Sequence, residues 1–137
     1  MTSLKQVAVL VVVLMISGFQ GRGQTRPTFA GVKSIERSYQ LCLDKGINML
    51  GCSMEYYSNV DSCLKDAYGN LMKELDSPQK DILEKEQDLW LKKRNIKFKI
   101  IDQENTMEGR DGQMIRRSEK ADFVKARVLD LIRRGHN

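Results

Sequence analysis

The amino-acid sequence predicts an all-α protein, a small helical bundle of three long helices plus one short N-terminal helix. Apolar residues recur in steps of three and four along most of the chain, which is the repeat of a helix with one buried face. No stretch alternates apolar and polar residues in the manner of a strand, and no internal repeat is present. Short polar segments separate these patterns, which favours helices that pack against their neighbours along the chain.

Residues 1–23 are predicted to be a secretory signal peptide. Lys5 supplies a positive charge, residues 7–16 (VAVLVVVLMI) form an unbroken apolar run, and small residues follow from Ser17 to Gly23. The small residues leave the cleavage site open. The apolar run is shorter than the roughly 20 residues that span a bilayer. We therefore expect a periplasmic or secreted protein with no stable membrane insertion after cleavage, rather than one with an uncleaved membrane anchor.

The net charge of the chain limits the classes of partner that it is expected to bind. The 137 residues include 23 Lys and Arg and 18 Asp and Glu, for a formal net charge of +5. Removing residues 1–23 takes away two basic residues, Lys5 and Arg22, and no acid, which leaves a charge of +3. This mature chain of about 110 to 120 residues is long enough for one helical domain. Because it is exported and only mildly basic, no nucleic-acid partner is predicted.

The domain itself is predicted to cover residues 34–134. Residues 24–33 contain Pro27 and Gly31 without periodicity, so they are expected to form a flexible lead-in. The first short helix is expected to begin near Ser34.

Gly51 is predicted to separate the first two helices, with Ser53 as the N-cap of the second. The second helix should end near Asp76. Its apolar residues draw one stripe along the helix: Met54, Tyr57, Val60, Leu64, Ala67, Tyr68, Leu71 and Leu75.

The third helix is predicted over residues 78–102. Ser77 followed by Pro78 is a strong start signal, with Ser as N-cap and Pro at the first helical position. Its expected apolar stripe consists of Ile82, Leu83, Leu89, Trp90, Ile96, Ile100 and Ile101.

Residues 103–113 are polar and contain two glycines, so they are predicted to be a loop. The last helix should run over residues 114–134 and end at Gly135 after two arginines, because cations favour the last turn. Its expected buried face consists of Ala121, Val124, Val128, Leu131 and Ile132.

Three cysteines remain after signal cleavage, and two of them should pair in an oxidising compartment. Cys52 and Cys63 are eleven residues apart on one predicted helix, a rise of roughly 16 Å. A disulfide needs Cα atoms within about 7 Å. The predicted bridge is therefore Cys42–Cys52, across a turn at Gly46 or Gly51. Cys63 is left as a small buried residue or as one half of an intermolecular bridge.

A spaced set of residues forms the most specific pattern in the chain. Its members are Cys52, Tyr57, Asp61, Leu64, Tyr68, Gln87, Trp90, Arg94, Arg127 and Leu131. Their order and spacing resemble the LprI-like periplasmic domain family, and the resemblance covers about residues 42–132. Lys65 and Val124 stand where the family usually has Asn and Thr. Phe98 stands where many members have a further Cys, and no Cys follows Cys63, so a second bridge of the family is missing here.

The motif residues admit two interpretations. Tyr57, Leu64 and Tyr68 share the face of one helix and Trp90 lies on the next, which is typical of a core. Asp61 with Arg94 or Arg127 is then predicted to be a semi-buried charge pair, joined by Gln87. The alternative interpretation is a concave recognition surface lined by Tyr68, Gln87, Trp90 and Arg94.

The resemblance implies an exported, non-enzymatic binding protein, an inhibitor of lysozyme-like muramidases that protects peptidoglycan. Arg110, on the predicted loop 103–113, is the candidate to meet the two carboxylates of a lysozyme cleft. The alternative is a cell-envelope interaction or immunity-type protein that binds an acidic partner through a basic face. This face consists of the run Lys92, Lys93, Arg94, Lys97 and Lys99, extended by Arg110, Arg116, Arg117 and Lys120. With either function, the expected partner of this chain is a protein, namely a lysozyme or another protein of the cell envelope.

A cell-wall enzyme is the least favoured function class. The only histidine, His136, lies at the chain terminus, and no motif for a metalloprotease, a serine hydrolase or a phosphate loop is present. No catalytic residue, metal site or cofactor is therefore predicted.

Overall fold

The computed structural model describes residues 25–136, which form four α-helices and, within that range, no strand. The helices are α1 (Phe29–Asp44), α2 (Met49–Glu74), α3 (Ser77–Glu104) and α4 (Gly109–Arg134). The predicted all-α bundle of one short and three long helices is confirmed. The predicted signal peptide, residues 1–23, lies outside the described residues. No helix in the described range is long and apolar enough to cross a membrane.

α1 begins earlier than the sequence predicted, and residues 29–33 belong to the helix rather than to a lead-in. Thr28 is the N-cap, and its hydroxyl accepts a hydrogen bond of 3.0 Å from the backbone N–H of Gly31. Val32 is buried in the core, which explains why this first turn is ordered into the helix.

The break between α1 and α2 lies at Gly46 and Asn48, not at Gly51. Gly46 (φ 65°) and Asn48 (φ 51°) both adopt the left-handed conformation that reverses the chain. Gly51 lies inside α2. Ser53 is not an N-cap, because it is fully buried within the helix and its hydroxyl donates to the carbonyl of Leu50 at 2.8 Å.

Two other helix starts also differ from the prediction. Asp76, not Ser77, caps α3, because its carboxylate accepts a hydrogen bond of 3.0 Å from the N–H of Gln79. α4 begins at Gly109 (φ 74°) rather than at Met114, so the loop contains only residues 105–108. Residues 109–113, predicted as loop, therefore form the first helical turn and a half.

α2 and α4 pack against each other to form the centre of the core, and α1 and α3 lie against this pair. The buried core residues are Val32, Tyr56, Val60, Leu64, Ala67, Leu71, Leu83, Ala121, Val124, Val128, Leu131 and Ile132. The predicted stripes of α2 and α4 are largely confirmed, although Met54 is exposed.

The predicted stripe of α3 is wrong at three positions, because Ile82, Leu89 and Ile96 are exposed. The face that turns inward runs in steps of three and four: Leu83, Gln87, Trp90, Arg94, Phe98 and Ile101. Polar residues occupy two of these positions, which hid the face from a search for apolar periodicity.

The predicted Cys42–Cys52 disulfide is confirmed, with a Cα–Cα distance of 5.8 Å. It joins the end of α1 to the start of α2 across the turn at Gly46. Cys63 is a free thiol, and burial, followed by the nearby Asp66 carboxylate, raises its pKa.

Candidate recognition surface

Gln87 and Arg127 form a buried polar contact between α3 and α4. The Arg127 guanidinium donates from Nε to Gln87 Oε1 at 3.2 Å and from Nη1 to Asp130 Oδ2 at 2.8 Å. Both side chains are buried, and a buried charge requires a partner. This contact joins α3 to α4 in the interior of the bundle.

The predicted pair of Asp61 with Arg94 or Arg127 is wrong. Asp61 instead pairs with Lys65, one turn along α2, at 3.0 Å between Oδ2 and Nζ. The Asp61 side chain is partly exposed to solvent, so it needs no cation from another helix. Asp61 and Arg94 do influence the same neighbour, Tyr57. Burial first, and then the Asp61 carboxylate, raise the pKa of Tyr57, while the Arg94 charge opposes the shift.

Aromatic rings and cations from α2, α3 and α4 meet in one aromatic–cation cluster. Its members are Tyr57, Trp90, Arg94, Phe98, Arg117, Lys120 and Phe123. Trp90 stacks on Phe123 with ring centroids 5.9 Å apart, and Phe98 meets Tyr57 edge to face at 6.1 Å. Phe98 therefore packs where the family pattern has a cysteine.

Cations cover the rings of this cluster. The Arg94 guanidinium lies 5.7 Å from the centroids of both Trp90 and Phe98, and the Arg117 guanidinium lies 5.3 Å from that of Tyr57. Such contacts stabilise a cation by about 0.5–2 kcal/mol. They explain how Arg94 is accommodated without a carboxylate partner from α2.

Leu64 and Tyr68, two further motif residues, have different surroundings. Leu64 belongs to the buried core. Tyr68 is partly buried beside it, and burial, followed by the Glu84 and Asp88 carboxylates, raises the pKa of its hydroxyl.

A groove of about 180 Å³ opens beside the aromatic–cation cluster, and we call it the basic groove. Its lining consists of Leu50, Met54, Asp102, Gln113, Arg116, Arg117 and Lys120. Asp102 contacts two of the cations, Lys120 Nζ at 2.6 Å and Arg116 Nε at 3.9 Å. The lining contains three cations and one carboxylate, which leaves the groove with a positive charge.

Arg110 lies in the first turn of α4, not in a loop as predicted. It donates from Nη2 to Asn48 Oδ1 at 3.1 Å, which ties the start of α4 to the α1–α2 turn. Ile47 and Met107 are 75% and 51% exposed at the same end of the bundle. We call residues 45–49 and 105–110 the tip.

Arg116 and Gly112 hold the shape of the tip. Arg116 Nη1 donates to the carbonyls of Met107 at 2.9 Å and Asn105 at 3.0 Å. Gly112 lies so close to the loop that a Cβ on it would sit 1.8 Å from the Met107 carbonyl oxygen. These contacts are local, within residues 105–116, but the polar composition of this segment predicts only a loop and does not reveal them. The bond between Arg110 and Asn48, by contrast, joins segments that meet only in the folded chain.

Among residues 25–136, no group of three or more His, Cys, Asp or Glu side chains is placed to hold a metal ion. His136 lies against Phe29, with ring centroids 6.0 Å apart. The tip offers an exposed cation together with apolar side chains, and the basic groove offers cations beside apolar ones.

A family model described as "Lysozyme inhibitor LprI" matches residues 42–131. The match runs from the end of α1 to the end of α4 and includes the disulfide, the aromatic–cation cluster and Arg110. No curated protein and no solved structure matches the chain.

Proposed function

This chain belongs to the LprI family of lysozyme inhibitors, and we propose that it is an exported, non-enzymatic protein that inhibits a lysozyme and thereby protects peptidoglycan. The observation that carries the proposal is the tip, where Arg110 is accompanied by two exposed apolar side chains. Retaining and inverting glycosidases both depend on two carboxylates that flank the scissile bond. A cation that enters their cleft can pair with those carboxylates.

The Arg110 guanidinium has the N–H donors that pairing with these carboxylates requires. Within the described residues its guanidinium makes one side-chain hydrogen bond, to Asn48, and a guanidinium carries five N–H donors. The bond to Asn48 limits the rotamers of Arg110, which lowers the entropy lost on binding. The remaining donors match the two oxygens of a carboxylate, a geometry in which charge-assisted hydrogen bonds are strong.

Ile47 and Met107 would supply the apolar part of the contact. Both residues belong to turns whose backbone is held, by the Asn48–Arg110 bond and by the two Arg116 bonds. Removal of their exposed apolar surface from water favours the complex. A narrow end of a bundle that carries a cation suits a concave target better than a flat one.

The test is lysis of peptidoglycan by a panel of lysozymes, with and without the purified mature protein. We expect dose-dependent protection, about tenfold weaker or more for Arg110→Ala, since a charge-assisted hydrogen bond contributes about 1.5–3 kcal/mol. The matched control is Arg133→Ala, an exposed arginine at the opposite end of α4. Unchanged lysozyme activity in micromolar excess of the folded protein would refute the proposal.

A second candidate is a cell-envelope interaction or immunity-type protein that binds an acidic partner. The basic groove favours it, because its lining contains three cations, Arg116, Arg117 and Lys120, and one carboxylate, Asp102. Pull-down from envelope extracts with wild type and with Arg117→Glu tests this candidate. A defined acidic partner retained by wild type and lost by the variant would support it, and equal retention by both would count against it.

A further inference from the structure

Three large aliphatic side chains form an exposed ridge along α3. Ile82, Leu89 and Ile96 are 59%, 66% and 62% exposed, and each lies seven residues from the next. Seven residues are close to two helical turns, so the three side chains stand in one row. We call this row the α3 ridge.

The bundle does not use the α3 ridge. α3 packs inward through Leu83, Trp90 and Ile101, on another side of the helix. At one end of the ridge, Ile82 also borders an apolar groove of about 190 Å³, whose lining includes Leu71 and Leu83. A row of exposed aliphatic side chains beside an open apolar groove is the kind of surface that a partner covers.

The charges of α3 are divided between its two halves. Residues 77–88 contain four acidic and two basic residues, and residues 89–100 contain five basic residues and no acidic one. A second α3 in parallel orientation would place one strongly basic half against the other. In antiparallel orientation the basic half of each copy faces the acidic half of the other, which is complementary.

We propose that two copies of this chain pair through their α3 ridges in antiparallel orientation, about a two-fold axis near Leu89. Ile82 and Ile96 are each seven residues from Leu89, so the axis places Leu89 against Leu89 and Ile82 against Ile96 of the second copy. Ile96 of the second copy then lies at the apolar groove beside Ile82. All three apolar side chains are covered at once, without a change in the bundle.

The side chains that flank the ridge agree with this register. Glu86 and Lys93 lie three residues before and four residues after Leu89, so the axis brings Lys93 of each copy to Glu86 of the other. Within its own copy the Glu86 carboxylate also accepts a hydrogen bond of 2.6 Å from Arg134 Nη1, so Lys93 would join an existing ion pair. On the other flank the axis brings Lys85 to Lys92, and an aspartate four residues before each of them, Asp81 and Asp88, offsets this like-charge contact. α3 has 28 residues, about 42 Å of helix, which provides the length for such a contact.

Cysteine cross-linking tests the register directly, in the mature chain with Cys63→Ser to remove the free thiol. We expect Leu89→Cys to form a disulfide-linked dimer on mild oxidation. Ile82→Cys and Ile96→Cys should cross-link in a mixture of the two variants, and each alone should stay monomeric. Glu84→Cys, exposed on α3 but away from the ridge, is the matched control and should not cross-link.

Sedimentation of the wild-type chain provides the second readout. Its mass should double with rising concentration, and Leu89→Glu should remain a monomer with unchanged helicity by circular dichroism. A wild-type chain that stays monomeric, or one whose ridge is covered by a different protein, overturns the proposal. Self-linkage of Ile82→Cys alone overturns the antiparallel register. Neither result bears on lysozyme inhibition, which depends on the tip.

Discussion

Tyr56 on α2 donates a hydrogen bond of 2.8 Å from its hydroxyl to Asp122 Oδ1 on α4. Its ring also stacks on Tyr39 of α1, with centroids 4.4 Å apart. Lys125 extends the contact, since its Nζ lies 3.1 Å from Asp122 and 2.5 Å from Glu36 on α1. One buried tyrosine and one lysine thus connect three helices through charge-assisted hydrogen bonds.

This contact predicts a loss of stability at alkaline pH. Burial first, and then the hydrogen bond to Asp122, raise the pKa of Tyr56 from 10.0 to about 12. Between these values the unfolded chain has lost the proton that the folded chain keeps, so the free energy of unfolding falls as pH rises. Burial by itself lowers the pKa of Lys125, but hydrogen bonds with Glu36 and Asp122 outweigh it and raise that pKa, which acts in the same direction.

The measurement is urea unfolding from about pH 8 to about pH 11.5, for wild type and Tyr56→Phe. Both should carry Cys63→Ser, so that no thiolate attacks the disulfide. Tyr56→Phe should be less stable than wild type at pH 8. Between about pH 8 and about pH 11.5, wild type should lose up to about 2 kcal/mol more of its free energy of unfolding than the variant does. Parallel pH profiles for the two proteins would contradict the assigned role of Tyr56.

The fold class was predictable because the central pair of helices has regular apolar stripes. α2 and α4 place Leu64 and Val128 in the core at the positions that periodicity indicates. α3 was not predictable in the same way. Its inward face includes Gln87, which Arg127 of α4 contacts, and Arg94, whose guanidinium lies over the rings of Trp90 and Phe98 on α3 itself.

Helix ends and the candidate site were harder to predict from the sequence. α2 begins directly after Asn48 and α4 begins at Gly109, and both residues adopt left-handed backbone conformations. Many asparagines and glycines do not adopt this conformation, so residue type alone does not predict where these helices begin. Arg110 was identified as a candidate, but its neighbours Ile47 and Met107 were not. They meet only after the chain folds, through contacts between segments about 60 residues apart.

Arg127 provides a second prediction. Arg127→Ala should lower the free energy of unfolding by about 2–4 kcal/mol, because it leaves the buried Gln87 without its donor and removes a packed side chain. Arg133→Ala, exposed on the same helix, should change it by less than about 0.5 kcal/mol. Urea unfolding monitored by circular dichroism measures both. Equal effects would mean that the Gln87–Arg127 contact does not stabilise the bundle.

The disulfide provides a third prediction. Cys42 and Cys52 close a short loop, with a sequence separation of 10. Replacing both by Ala should cost about 2–3 kcal/mol of stability, since the bridge restricts the unfolded chain. Cys63→Ala should cost less than about 1.5 kcal/mol and should abolish reaction of the denatured, unreduced protein with a thiol reagent. Thiol reactivity that persists in Cys63→Ala would show that the bridge is not formed as described.

Gly112 provides the last prediction. Replacement by alanine should lower the free energy of unfolding at Gly112 and raise it at Gly69, although both glycines lie in helices. In an open helical position Gly→Ala stabilises by about 0.5–1 kcal/mol, and Gly69 on α2 is such a position, since a Cβ added there would have no neighbour within 4 Å. A methyl group on Gly112 would instead meet the Met107 carbonyl oxygen at 1.8 Å and displace the loop that Arg116 holds. We expect Gly112→Ala to destabilise the protein by about 1–3 kcal/mol and to weaken lysozyme inhibition more than Gly69→Ala does. Thermal unfolding and the lysis assay measure the two effects, and a stabilised Gly112→Ala with full inhibition would show that the tip does not depend on this close approach.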